Sequence, residues 1–183
     1  WKDTLVIMDD SVVRGTTLKT SILRLLDRLE PKRIILVSSA PQIRYPDCYG
    51  IDMSQLGRFI AFEAAIALRT ERGMASVVER VEERCLAQAD QPADRMRNEV
   101  RALYEPFTLD ELSAKVSELI RTPGLAWRGR LDVIYQSVEG LRAAMPRFTG
   151  DWYFTGDYPT PGGLQVLNNA FLNWRRGDER RSY

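Results

Sequence analysis

The sequence predicts an α/β protein built on a parallel sheet, and three observations carry that expectation. Leu5-Val6-Ile7-Met8 is an apolar run too short for a helix face and closed by two carboxylates, Asp9 and Asp10, the pattern of a strand buried on both faces. A helical stripe follows in Leu18, Ile22, Leu25, Leu26 and Leu29. A second apolar run, Ile34-Ile35-Leu36-Val37, comes after it. Strand, loop, helix and strand in that order make one right-handed crossover unit.

Each further element has its own local signal. The first helix runs from Thr17 to Leu29, with Lys19, Arg24, Asp27 and Arg28 on its outer side, and Pro31 ends it. The second strand spans 33–39. The stretch 40–53, holding Pro41, Pro46 and Gly50, is a loop beyond that strand's carboxyl end; either Arg44 and Tyr45 reach a ligand or a partner domain, or Tyr45 and Tyr49 plug the loop onto the core. Cys48 reads as a packing residue. Ser54 is the N-cap of a helix reaching Arg72, Gly73 breaks it, and a second helix covers 75–89. Residues 88–94 form a surface break, and Ala93 or Asp94 opens a helix to Leu103. After Pro106, Thr108-Leu109-Asp110-Glu111 is a capping box for a helix to Ile120. Leu131, Val133 and Tyr135 alternate as a short strand. Ser137 caps a helix over 138–144 that Pro146 closes, 151–155 reads as a further short strand, and Gly162-Gly163 precedes a last helix over 164–175. Arg175, Arg176, Arg180 and Arg181 make a basic tail, interrupted by Asp178 and Glu179, that reads as a frayed terminus.

Composition narrows the function classes. The 183 residues are 44% hydrophobic and 28% charged, with 26 Lys and Arg against 25 Asp and Glu, so there is material for a core and no global field to attract nucleic acid or a membrane surface. No apolar run approaches the roughly 20 residues of a membrane-spanning helix, and no signal-peptide pattern opens the sequence. Cys48 and Cys85 lack CxxC spacing, which suits a reducing, cytoplasmic setting. Histidine is absent, so any metal is held by oxygen, which favours Mg²⁺ over zinc. A start at Trp1, a few residues before a strand, is the mark of a piece of a longer protein, with the other strands expected upstream.

The chemistry concentrates at the end of the first strand. In a parallel sheet the ligand sits beyond the carboxyl ends of the strands. There Asp9 and Asp10 are followed by Ser11-Val12-Val13-Arg14-Gly15-Thr16-Thr17, a loop rich in hydroxyls and amides that feeds a helix. Such a junction cradles phosphate, because unpaired N–H groups and the positive end of the helix dipole face the anion. Gly15 permits the φ > 0 turn this needs. The loop lacks the Lys and the spaced glycines of a nucleoside-triphosphate loop. Paired carboxylates beside a monophosphate cradle suit a sugar phosphate, accepting hydrogen bonds from vicinal hydroxyls and helping through water to hold Mg²⁺. The competing reading is an Asp-Asp pair that merely caps a turn.

Val6 to Thr17 resembles the phosphoribosyl pyrophosphate motif of type I phosphoribosyltransferases, in the version found in the amidophosphoribosyltransferase family. Three further segments are similar to that family in the same order: Ala40 to Pro46 with Tyr49 to Met53, Ser137 to Leu141, and Phe154 to Thr160. The resemblance implies the C-terminal part of a type I phosphoribosyltransferase parallel sheet with a helix-rich C-terminal extension. It divides the chain into a partial phosphoribosyltransferase domain over 1–57, a helical insertion over 58–107 and a C-terminal segment of helices and short strands over 108–183. It implies Asp9, Asp10, Ser11, Val13, Arg14, Gly15, Thr16 and Thr17 as phosphoribosyl pyrophosphate binders, with Asp9 and Asp10 also linked to Mg²⁺.

For the longer protein the resemblance implies transfer of glutamine-derived ammonia to phosphoribosyl pyrophosphate, giving 5-phosphoribosylamine in purine synthesis. It also implies purine nucleotide feedback effectors, a glutaminase domain in the same parent chain and a homo-oligomer. The fragment alone is expected to be inactive, lacking that domain. Some relatives hold an iron–sulfur cluster through cysteines placed before the Phe-Thr-Gly segment. Here that place is Gly150-Asp151-Trp152-Tyr153, and two isolated thiols do not make four ligands, so no cluster is expected. Two alternatives remain open: a non-catalytic module binding phosphoribosyl pyrophosphate or a purine nucleotide, and a phosphoribosyltransferase acting on a free base.

Overall fold

A computed structural model describes residues 3–16, 18–48, 53–121, 124–180 and 182. Its sheet is parallel, in the order β1 (Thr4–Asp9), β2 (Arg33–Ser38), β3 (Arg130–Tyr135). Leu5 pairs with Ile34 and Ile34 with Leu131; Ile7 pairs with Leu36 and Leu36 with Val133. Because strand side chains alternate between faces, these residues share one face, and it is the face that carries the core. Ile34, Leu36, Val133 and Tyr135 are buried there with Leu18 and Leu23 from the first helical segment and Leu112, Val116 and Ile120 from α4 (Leu109–Ile120).

The opposite face corrects the expectation of a strand buried on both sides. Val6 is 63% and Met8 74% exposed, and Ile134 on β3 is 48% exposed. Among the described residues nothing covers this side of β1, because the first helical segment and α4 bury their apolar residues on the Leu5 face. The first helical segment departs from expectation for a different reason. It opens as a π-helical turn, Leu18–Ile22, and continues as α1 (Leu23–Asp27). A π-turn has a wider period than 3.6, so Leu18 and Leu23 face the core while Leu25 and Leu29 turn to solvent at 69% and 51% exposure.

Between β2 and β3 the chain builds the bulk of the core. Ser54 is buried but caps no helix: a 3₁₀ turn at Leu56–Arg58 intervenes, and α2 (Ile60–Glu71) starts six residues later than its expected cap. Its Ala61, Phe62, Ala64, Ala65 and Leu68 are buried. Arg69 is buried too, because it donates to the carbonyls of Leu103 (3.2 Å) and Ala102 and lies over Phe107, closing a turn that would otherwise keep unpaired carbonyls. After Gly73, α3 (Ser76–Ala87) forms as expected. The helix expected to Leu103 is instead two 3₁₀ turns, Ala93–Arg95 and Glu99–Leu103, the second capped by Asn98, whose side chain accepts from the Arg101 amide at 2.9 Å. A capping Asn inside the window divides it in two.

The capping box before α4 is complete. Thr108 Oγ1 accepts from the Glu111 amide (3.2 Å), Glu111 Oε2 accepts from the Thr108 amide (2.8 Å), and Arg72 donates to Glu111 at 2.5 Å. These contacts hold the Glu111 carboxyl down at about 2. Beyond β3, Ser137 caps α5 (Val138–Ala144), accepting from Gly140 N at 2.9 Å. The expected strand at 151–155 is a helical turn, α6 (Trp152–Thr155), because the Asp151 carbonyl accepts from Phe154 and Thr155 and Gly156 ends it with φ +74°. Finally α7 (Pro161–Arg175) starts at Pro161, so the glycine pair lies inside its first turn. The tail is docked: Ser182 is buried and donates to the Ser54 carbonyl at 3.4 Å. Arg181 lies outside the described residues. One apolar cluster draws on residues from all three stretches of the chain.

Two outcomes follow. Thr108→Ala is expected to lower unfolding free energy in urea by about 1 kcal/mol, the usual worth of a side-chain N-cap. Val6→Thr with Met8→Thr is expected to change it by under about 0.5 kcal/mol; a loss of several kcal/mol, as for a buried strand, would show that both faces are covered.

Candidate phosphate-binding site

The pairing of β1 with β2 continues past the strand ends and fixes the acidic pair. Ser39 N donates to the Asp9 carbonyl (2.9 Å) and Ala40 N to the Asp10 carbonyl (3.0 Å). The two carboxylates then fold back on the chain: Asp9 Oδ1 accepts from the Asp10 amide at 3.0 Å and Asp10 Oδ1 from the Ser11 amide at 2.8 Å. Burial raises the Asp9 carboxyl above its ordinary value, and the neighbouring Asp10 carboxyl adds to the rise.

Past Ser11 the loop is pinned from below. Val12 is buried, the first amide of α2, Ile60 N, donates to the Val13 carbonyl at 2.8 Å, and Lys19 N donates to the Gly15 carbonyl at 2.9 Å. Gly15 has φ +65° and is itself buried, its α-carbon facing Ile120 and Ile60. Carbonyls thus point into the protein. The amides of Val13 and Gly15 donate to no protein acceptor among the described residues, the arrangement an anion would complete.

The loop walls a cavity of about 540 Å³ lined by Asp9, Ser11, Val13, Arg14, Gly15 and Thr16, all expected, together with Val12, Leu18 and Met53. Asp10 is exposed and does not line it. Thr17 lies outside the described residues. Val12 and Leu18 were legible only as apolar positions, and Met53 only as the last residue of the 49–53 segment that resembles the family. That residue arrives because Asp47 N donates to its carbonyl at 2.9 Å, closing the loop whose residues 49–52, including Tyr49, Gly50 and Asp52, are outside the described set.

The rest of that loop is held by the two late segments. Arg44 N and Tyr45 N donate to the Tyr153 carbonyl (2.8 and 3.0 Å), Tyr158 Oη to the Pro46 carbonyl (2.7 Å) and Tyr104 Oη to the Arg44 carbonyl (2.8 Å). Tyr45 is a core residue at 2% exposure, which settles its half of the open choice. At Gly156 any β-carbon would collide with Asn98 and Tyr45. Neither Cys48 nor Cys85 is in a disulfide, and burial pushes the Cys85 thiol up to about 12.

For a divalent cation the donor set is Asp9 and Asp10. Among the described residues no group of three or more metal-binding side chains occurs. Two carboxylates do not cage calcium or zinc, but they fit Mg²⁺, which keeps several waters and takes substrate phosphates as ligands.

The chain is thus an α/β protein whose parallel sheet ends in an acidic pair and a loop with outward amides. Comparison with known proteins gives the narrower relationship. The chain is similar to the amidophosphoribosyltransferases of Pasteurella multocida, 43% identical over 58 residues, 32% of this chain and 11% of the relative, and of Escherichia coli, 42% over 57 residues, 31% and 11%. With that of Rhizobium etli it is 26% identical over 157 residues, 85% of this chain and 22% of the relative. No family model matches. The chain therefore spans between 11% and 22% of the length of these relatives, and its curated relatives are phosphoribosyltransferases.

The Asp9 environment has a testable sign. A raised carboxyl keeps its proton in the folded chain where the unfolded chain has released it, so the stability it contributes falls as pH rises from the ordinary value of 3.8 toward the raised one. Carboxyl-carbon NMR is expected to show Asp9 titrating above 3.8, and Asp10→Asn to bring its midpoint down.

Proposed function

We propose that this chain is the phosphoribosyl pyrophosphate-binding part of an amidophosphoribosyltransferase, the enzyme that joins glutamine-derived ammonia to that substrate in purine nucleotide synthesis. The observation that carries the reading is the cavity at the end of β1, where the half-buried Asp9 carboxylate and amides without protein acceptors line one wall. The similarity to amidophosphoribosyltransferases supports it.

In this reading the 5-phosphate lies on the amides and hydroxyls of Val13, Arg14, Gly15, Thr16 and Thr17. Asp9 and Asp10 accept hydrogen bonds from the ribose hydroxyls. Ammonia attacks C1 as the bond to pyrophosphate breaks, with inversion, and the ring gains positive charge as that group leaves, as in glycosyl transfer. Asp9, ionised and close by, stabilises this charge. Mg²⁺ held through water by Asp9 and Asp10 would neutralise the departing pyrophosphate. Purine nucleotides, whose 5-phosphate suits the same loop, are the effectors of this reading. A glutaminase domain and an oligomer of the longer chain, in the cytoplasm, complete it.

Calorimetric titration of the chain with phosphoribosyl pyrophosphate and Mg²⁺ tests it. Saturable binding is expected, with affinity falling at least about tenfold in Asp9→Asn/Asp10→Asn, since each lost charge-assisted hydrogen bond is worth about 1.5–3 kcal/mol. Binding unchanged by the double substitution would place the sugar elsewhere and overturn the assignment.

A further inference from the structure

Arg44, in the 40–47 loop, does not line the cavity at the end of β1 and is held in an unusual way. Its Nε and Nη2 both donate to Gln42 Oε1 (3.2 and 2.9 Å), and its guanidinium lies over the Tyr104 ring. Gln42 is buried and held in turn, its Nε2 donating to Ser113 Oγ at 3.1 Å. The arginine is thus fixed by a neutral amide, and among the described residues no carboxylate pairs with it. One edge of the guanidinium is spent on Gln42. The other, formed by Nη1 and the second Nη2 hydrogen, remains, and two parallel N–H groups match a carboxylate.

Arg44 lines two adjoining cavities, of about 390 and 190 Å³, and Val138, Glu139 and Phe154 line both with it. Glu139, on α5, has no hydrogen-bond or ion-pair partner among the described residues and does not pair with Arg44. The neighbouring cations are neutralised, Arg101 by Asp157 and Arg142 by Asp151, each at 2.5 Å. The cleft therefore presents one fixed positive group, Arg44, two carboxylates without an ion-pair partner among the described residues, Glu139 and Glu105, and an aromatic wall. A dianionic phosphate would meet a single positive charge on Arg44 and the repulsion of Glu139 and Glu105; a zwitterion places its carboxylate on Arg44 and its ammonium toward the carboxylates.

We propose that this cleft binds a free α-amino acid, its carboxylate on the open edge of Arg44, its ammonium on Glu139 and its side chain against Phe154. This site does not rest on the phosphoribosyl reading. The full chain, labelled with ¹⁵N, is titrated with each of the twenty L-amino acids while the Arg44 Nε–H resonance is followed. Saturable shifts with at least one amino acid are expected. For that ligand, Arg44→Gln and Glu139→Gln should each weaken binding about tenfold or more, and Arg44→Lys, which keeps the charge but not the paired edge, should also weaken it, with unchanged circular dichroism. The N-acetyl derivative, which lacks the ammonium, should bind as weakly to the parent chain as the free amino acid binds to Glu139→Gln. No shift with any amino acid overturns the proposal. So does affinity indifferent to Arg44→Gln, or an N-acetyl derivative that binds as well as the free amino acid.

Discussion

The arrangement depends on the parallel pairing of β1 with β2 running two residues beyond the strands. The bonds from Ser39 and Ala40 to the carbonyls of Asp9 and Asp10 hold the acidic pair at the sheet's end as rigidly as a strand residue. Everything beyond is then aimed by what packs beneath it. Val12 goes into the core, and α2 begins under the loop with a bond to the Val13 carbonyl. With the carbonyls tied inward, the loop can present amides outward, and Gly15 supplies the positive φ that this reversal requires. The acidic and amide-rich halves of the site are products of one backbone path.

The long excursion between β2 and β3 belongs to the same logic. α2 and α4 pack on each other, and Ile60 and Ile120 meet under Gly15. Helices that the sequence alone left without a role therefore form the floor of the loop. The two late segments act on the other side: Tyr153 and Tyr158, with Tyr104, hold the backbone of residues 44–46, so the stretch that delivers Met53 to the cavity starts from a fixed point. Parts of the chain far apart in sequence meet around one loop.

What could be read from the sequence is what local physics decides. Asp-Asp after an apolar run, Gly15 before a helix, the Thr108–Glu111 capping box and Ser137 as a cap each state their conformation within a few residues. The misses have a shared cause, since each depends on what lies across space. Val6 and Met8 look like core until the helices are seen to gather on the other face. Ser54 looks like a cap until the 3₁₀ turn at Leu56–Arg58 moves the start of α2 to Ile60. The aromatic run at Trp152–Thr155 favours a strand by composition, yet the Asp151 carbonyl and Gly156 wind it into a turn. Leu25 misleads because a π-turn shifts the phase of the helix. Within the site, Met53 could be read as part of a family-like segment but not as a wall of the cavity, because only the fold of the loop brings it there.

The central claim is that the outward amides of Val13 and Gly15 form the phosphate seat. Amide NMR of the chain titrated with ribose 5-phosphate, with plain ribose as the control, tests this most directly. The account requires the Val13 and Gly15 amide protons to move downfield with the phosphorylated sugar and to stay unmoved by ribose at the same concentration. Equal responses to both sugars, or shifts that leave these two amides untouched, would contradict it.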